Sequence, residues 1–103
     1  MTSAGTGGAA VIETRKHLRI HGRVQGVFYR GWSRETALAL GLRGWVRNRD
    51  DGTVEMLVVG DGAAVDRMIE RCRHGPPAAR VDRIDIEESR EEAPDGFETR
   101  ATA

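Results

Sequence analysis

The chain is poor in the features that most readily betray a function. Cys72 is the single cysteine, so no intrachain disulfide can form and no zinc-finger set of thiolates exists. Acidic and basic side chains number 16 each, a formal net charge of zero. That balance removes any global electrostatic case for nucleic acid or for an anionic membrane surface. Arginine far outnumbers lysine, which reads as the codon bias of a GC-rich bacterial genome. No apolar run approaches membrane-spanning length and no signal peptide is visible, so the expected location is the cytoplasm. Aromatic residues make up only 5% of the chain. Neither a Gly-Lys-Ser/Thr phosphate loop nor a Gly-x-Gly-x-x-Gly fingerprint occurs. No internal repeat occurs either. A length of 103 residues leaves room for one small domain around one core.

What remains is well ordered. Residues 1–14 are rich in Gly, Ala, Thr and Ser without periodicity, and are expected to be a disordered tail ahead of a domain over 15–103. Residues 17–21 alternate polar and apolar, a half-buried strand with Leu18 and Ile20 inward and His17, Arg19 and His21 outward. Tyr29, Ser33, Thr36, Ala37 and Leu40 share one helical face, and Gly41 ends that helix. Residues 42–48 and 53–59 are strands joined across Asp51-Gly52, a hairpin signal. Val65, Met68, Ile69 and Cys72 fall at i, i+3, i+4, i+7, which predicts a second amphipathic helix. Gly75-Pro76-Pro77 stops it. Residues 82–87 alternate again, with Val81 out of phase as at a bulge. Residues 97–100 read as a last short strand.

The order βαββαβ plus a short C-terminal strand is the split βαβ, or ferredoxin-like, α+β pattern. It predicts a mostly antiparallel sheet with two helices on one face. That fold hosts many functions and assigns none.

The informative segment is Gly22-Arg23-Val24-Gln25-Gly26-Val27-Phe28-Tyr29-Arg30. A strand runs into a glycine-bearing loop, and Arg30 follows in the first turn of a helix. An arginine there is poorly placed for the helix dipole. The layout suits an anion cradle, because unsatisfied N–H groups of loop and helix start converge and a guanidinium can close the site. A phosphate dianion matches the planar fork of Arg donors. A second segment, Gly44-Trp45-Val46-Arg47-Asn48, precedes the hairpin turn and Gly52-Thr53-Val54. On position alone Asn48 is a turn-initiating residue.

Together these two segments resemble the acylphosphatase family, whose pattern is Gly-x-Val-Gln-Gly-Val-x-(aromatic)-Arg, a helix, Gly-Trp-Val-x-Asn, a short turn and Gly-Thr-Val. The likeness covers roughly residues 16–100. It implies the same fold with the fifth strand at the sheet edge. It implies hydrolysis of an acyl phosphate to a carboxylate and inorganic phosphate by a protein that needs no metal or other cofactor. It further implies that Gln25, Gly26, Val27, Phe28, Tyr29 and Arg30 bind the phosphate and that Arg30 and Asn48 are catalytic, Asn48 by orienting the attacking water. The expected partner is a small acyl phosphate, with inorganic phosphate as product and inhibitor, no nucleic acid, no membrane, and a monomeric state.

Other features are weaker. His17 and His21 lack the spacing of a metal site. His74 falls near a helix C-terminus, where its charge suits the dipole. Trp32 and Trp45 read as packing residues, the acidic run near Glu91 as a solvated loop, and Cys72 as a buried thiol. Ser33, one turn after Arg30, is either a support for it or a core-edge serine. Three other functions fit some of these features: a non-catalytic sensor of a phosphorylated metabolite, a detached relative of the similar domain in larger carbamoyl-phosphate-processing proteins, and an RNA-binding module. Asn48 argues against the first, the lack of zinc-finger cysteines or a further domain limits the second, and charge and aromatic content argue against the third.

Overall fold

The computed structural model describes residues 13–103. Seven elements follow in order: β1 (Glu13–Arg23), α1 (Tyr29–Ala39), β2 (Arg43–Asn48), β3 (Val54–Asp61), α2 (Gly62–Cys72), β4 (Arg80–Glu88) and β5 (Phe97–Thr99). The strands form one sheet in the order β4-β1-β3-β2-β5. Every neighbouring pair is antiparallel except β2 with β5 at the sheet edge. The ferredoxin-like α+β fold expected from the element order is the fold observed. β1 begins at Glu13, so Glu13 and Thr14 belong to a strand, while the rest of the segment read as a tail lies outside the described residues.

Alternation decides which face each strand residue takes. Leu18 and Ile20 of β1, Val46 of β2 and Val54, Met56 and Val58 of β3 are buried in one cluster with Tyr29 and Ala37 of α1 and Val65, Met68, Ile69 and Cys72 of α2. Burial of these apolar stripes is the main stabilising term, at about 25 cal/mol per Å². The hairpin behaves as its Asp-Gly signal demands: Asn48 sits opposite Val54, and Asp51 Oδ1 accepts hydrogen bonds from the Thr53 amide at 3.0 Å and hydroxyl at 2.6 Å. The out-of-phase Val81 marks a register shift against His21 and Gly22, with Val81 and Arg83 paired and Asp82 skipped.

Ser33 gives no hydrogen bond to Arg30; its buried hydroxyl donates to the Tyr29 carbonyl at 2.7 Å, the short backbone-directed bond that a serine makes inside a helix. The acidic run is not simply solvated. Trp45 stands on the face of the sheet away from the core helices, buried with Leu57 and Val59, with the partly buried Ala93 packed against them. Its indole N–H donates to Glu91 at 2.8 Å, and the Arg47 and Arg100 guanidinium groups lie 4.8 and 5.0 Å from its ring centre. A buried indole needs an acceptor, and the segment after β4 supplies it. His17 and His21 are paired with carboxylates on the same face, with Glu55 at 2.6 Å and Asp85 at 2.8 Å.

Candidate functional site

The loop between β1 and α1 turns on two left-handed residues. Gly26 has φ 73° and Phe28 φ 68°. At Gly26 the conformation itself calls for glycine, since a Cβ there would meet no protein atom within 4 Å. Phe28 is the one non-glycine residue with positive φ among the described residues. For a residue with a Cβ that backbone costs about 1–2 kcal/mol.

α1 begins at Tyr29 with no side-chain cap and no acidic residue in its first turn. Trp32 N–H, bonded to the Phe28 carbonyl at 3.0 Å, is the first donor of the helix to be satisfied. Among the described residues, no acceptor takes the backbone N–H of any residue from 26 to 31. A run of orphan donors at a helix start, undiluted by acidic side chains, is an electropositive spot suited to an anion.

A cavity of about 340 Å³ opens on this run. Gly26, Phe28, Tyr29 and Arg30 line it from the loop and α1, and Asn48 lines it from the end of β2. These two segments, far apart in sequence, are thus brought to one space. Gln25 and Val27 are not among the lining residues. Gln25 turns its amide the other way: Nε2 donates to the carbonyls of Arg49 and Thr53, each at 2.8 Å, and so ties the loop to the β2–β3 turn. Val27 packs against the core.

Thr99 also lines the cavity, a residue that the sequence reading missed. The parallel pairing that sets Thr99 opposite Val46 brings it there, and a three-residue strand gives almost no signal of its pairing. Beyond β5 the chain continues along β2. Arg100 N–H donates to Val46 at 2.8 Å, and Ala103 N–H to the Asn48 carbonyl at 3.0 Å. Arg30 Nη1 donates to the Arg100 carbonyl at 3.4 Å, and the rest of its fork has no hydrogen-bond partner among the described residues.

The nearby acids are locked. Tyr29 is buried and its hydroxyl donates to the Cys72 carbonyl at 2.6 Å. Burial drives its pKa far above the ordinary tyrosine value. The Cys72 thiol is likewise pushed up to about 12 by burial, which makes it an inert packing group. The groups that the lining residues bring to the cavity are therefore backbone N–H donors, the Arg30 guanidinium, the Asn48 amide and the Thr99 hydroxyl, with no carboxylic acid among them. Among the described residues no group of three or more His, Cys, Asp or Glu side chains is arranged to hold a metal ion, and no helix is long and apolar enough to cross a membrane.

Comparison with known proteins gives consistent matches. The Acylphosphatase family model matches residues 16–99. The acylphosphatase of Acidovorax sp. (strain JS42) is 53% identical over 87 residues, which span 84% of this chain and 90% of that protein. The acylphosphatase of Rhodospirillum rubrum is 62% identical over 69 residues, 67% of this chain and 76% of that one. The solved structure of an acylphosphatase from Coxiella burnetii superposes with a TM-score of 0.82 at 38% identity, covering 85% of this chain and 93% of the other.

Proposed function

The chain belongs to the acylphosphatase family and hydrolyses acyl phosphates, and from that premise we propose that the cavity between α1 and the end of β2 is where it does so. The observation that carries this reading is that Gly26, Phe28, Tyr29, Arg30 and Gly31, whose backbone N–H groups have no acceptor among the described residues, line one cavity with Asn48. The phosphoryl oxygens are held by backbone N–H groups of the loop and helix start and by the Arg30 fork. These donors are fixed before substrate arrives, so they stabilise charge in the transition state without reorganisation. Gln25 serves from behind, its side chain holding the loop to the turn.

Asn48 orients a water for in-line attack on phosphorus. A bond forms from the water oxygen to phosphorus, and the bond from phosphorus to the acyl oxygen breaks with its electron pair leaving on the carboxylate. The water proton passes to a phosphoryl oxygen, since an amide is no base at neutral pH. A carboxylate leaves readily and needs no general acid, which agrees with Tyr29 and Cys72 being locked. The reaction needs no metal in this reading, because Arg30 supplies the positive charge. The protein acts as a cytoplasmic monomer, and the product phosphate competes for the cradle.

Phosphate release from a small aryl acyl phosphate tests this. Dialysis against a chelator should leave the rate unchanged, whereas activity lost to chelator and restored by Mg²⁺ or Zn²⁺ would overturn the metal-free reading. Arg30→Lys should lose most activity and bind phosphate more weakly, because a point charge cannot replace a planar fork. A lysine variant with native turnover and affinity would refute the role of the fork.

A further inference from the structure

Phe28 is unexplained by packing. It is 65% exposed, the most open large apolar side chain among the described residues. It belongs to neither hydrophobic cluster formed by the described residues. Its backbone is held in the left-handed region at φ 68°, ψ 23°, although asparagine or glycine would adopt that conformation at lower cost. The position is nonetheless well defined. The Phe28 carbonyl accepts the first hydrogen bond of α1, and the ring rests on Gly31, where an added Cβ would come within 2.3 Å of ring atom Cε1. Gly31 thus makes room for the ring. Phe28 and Gly31, the glycine against which its ring lies, both line the cavity that holds Arg30 and Asn48.

A solvent-facing aromatic in a costly backbone state, seated on a helix glycine beside a polar cavity, is suited to covering something apolar that enters the cavity. We propose that Phe28 is a specificity-determining residue that receives the acyl substituent of the substrate, so that acyl phosphates with aromatic or other bulky apolar acyl groups are favoured over acetyl phosphate. This rests on the proposed seat of the phosphoryl group. With that group on the loop N–H groups and Arg30, the acyl carbon is one oxygen away and its substituent extends toward the open side, where the only large apolar surface of the cavity left exposed is this ring. Covering the ring with an aromatic acyl group removes apolar area of both from water, and a methyl group covers little of it. A discrimination of about tenfold in kcat/KM follows.

The experiment measures kcat/KM for benzoyl phosphate and acetyl phosphate, together with inhibition by inorganic phosphate, in the native protein and in Phe28→Asn and Phe28→Gly. Both replacements suit the left-handed backbone and both remove the ring; circular dichroism identifies the folded variant if one of them fails. The expected result is a fall of about tenfold in the benzoyl-to-acetyl ratio, carried mainly by KM, with phosphate inhibition retained. An unchanged ratio would overturn the proposal, whether both substrates fall together or neither changes. If the native protein is not competitively inhibited by phosphate, the seat of the phosphoryl group is wrong and the proposal falls with it. An unchanged ratio with normal phosphate inhibition refutes the role of Phe28 alone.

Discussion

Gln25→Ala separates two roles that the motif leaves merged. The sequence reading places Gln25 among the phosphate ligands, yet its side-chain amide donates both hydrogens elsewhere, to Arg49 and Thr53 at 2.8 Å each. Those carbonyls flank the turn that follows Asn48, and the Thr53 carbonyl already accepts from Arg49 N–H at 2.9 Å. Alanine deletes two donors of about 1 kcal/mol net each, and water can reach the partly buried carbonyls, so the loss is about 2 kcal/mol. For a domain of this size that lowers Tm by roughly 10 °C. Gln25→Glu is nearly isosteric but sets carboxylate oxygens against carbonyl oxygens, and should cost more than alanine. Urea unfolding should show a lower midpoint with an unchanged slope. Turnover should fall about tenfold as the loop shifts against Asn48, with a smaller change in phosphate affinity measured by calorimetry. Native stability combined with lost phosphate affinity would refute this reasoning and make the side chain an anion ligand. A glutamate variant more stable than the alanine variant would refute it as well.

Two further outcomes are expected. Asn48→Ala should lower turnover by roughly two to three orders of magnitude and phosphate affinity far less, since the loop and Arg30 still hold the anion; kinetics beside calorimetry would check this, and equal losses would put Asn48 in the phosphate site itself. Glu55 is buried on the face away from α1, and although burial pushes its pKa up, hydrogen bonds from Arg47 and His17 outweigh this and hold it below the ordinary glutamate value. Its contribution is therefore complete above the unfolded pKa and is lost as pH falls through the lower folded value. Glu55→Gln should cost about 2 kcal/mol at pH 7, the burial of the carboxylate being offset by the partial exposure of its partners. Urea unfolding at pH 7 and near pH 3 should show the gap between variant and native protein narrowing in acid, and an equal gap at both would contradict the assignment.

The parts of the molecule legible in the sequence are those that repeat or punctuate. The i, i+3, i+4, i+7 spacing of Val65, Met68, Ile69 and Cys72 named the buried stripe of α2, and Asp51-Gly52 named the hairpin turn. Arg30 and Asn48 were legible because two motifs were present together, and the fold brings both residues to one cavity. Side-chain direction was less legible. Gln25 lies in the same motif as Gly26, but its partners are set by the hairpin packed behind the loop. Periodicity tells which face Trp45 takes, and gives no sign that Glu91 will reach it across the sheet. The positive φ of Phe28 was hidden because left-handed backbone is usually announced by glycine or asparagine. Thr99 was invisible because its place depends on a three-residue parallel pairing with β2.

The skipped residue in β4 bears on how copies of this protein treat one another. Among the described residues β4 forms one rim of the sheet, bonded to β1 on one side only. A bare rim of that kind is a template on which another chain can add a strand, and from there a fibril can grow. Here the shift between Val81 and Arg83 interrupts the regular ladder. Arg80, Asp82, Arg83 and Asp85 line the strand with opposed charges, paired Arg80 with Asp82 and Arg83 with Asp85, each at 3.3 Å. An incoming strand would have to match a kinked register and strip water from those ion pairs. The irregularity that breaks the alternation in the sequence thus guards the rim against self-assembly, and it does so on the opposite edge from β5, away from the cavity.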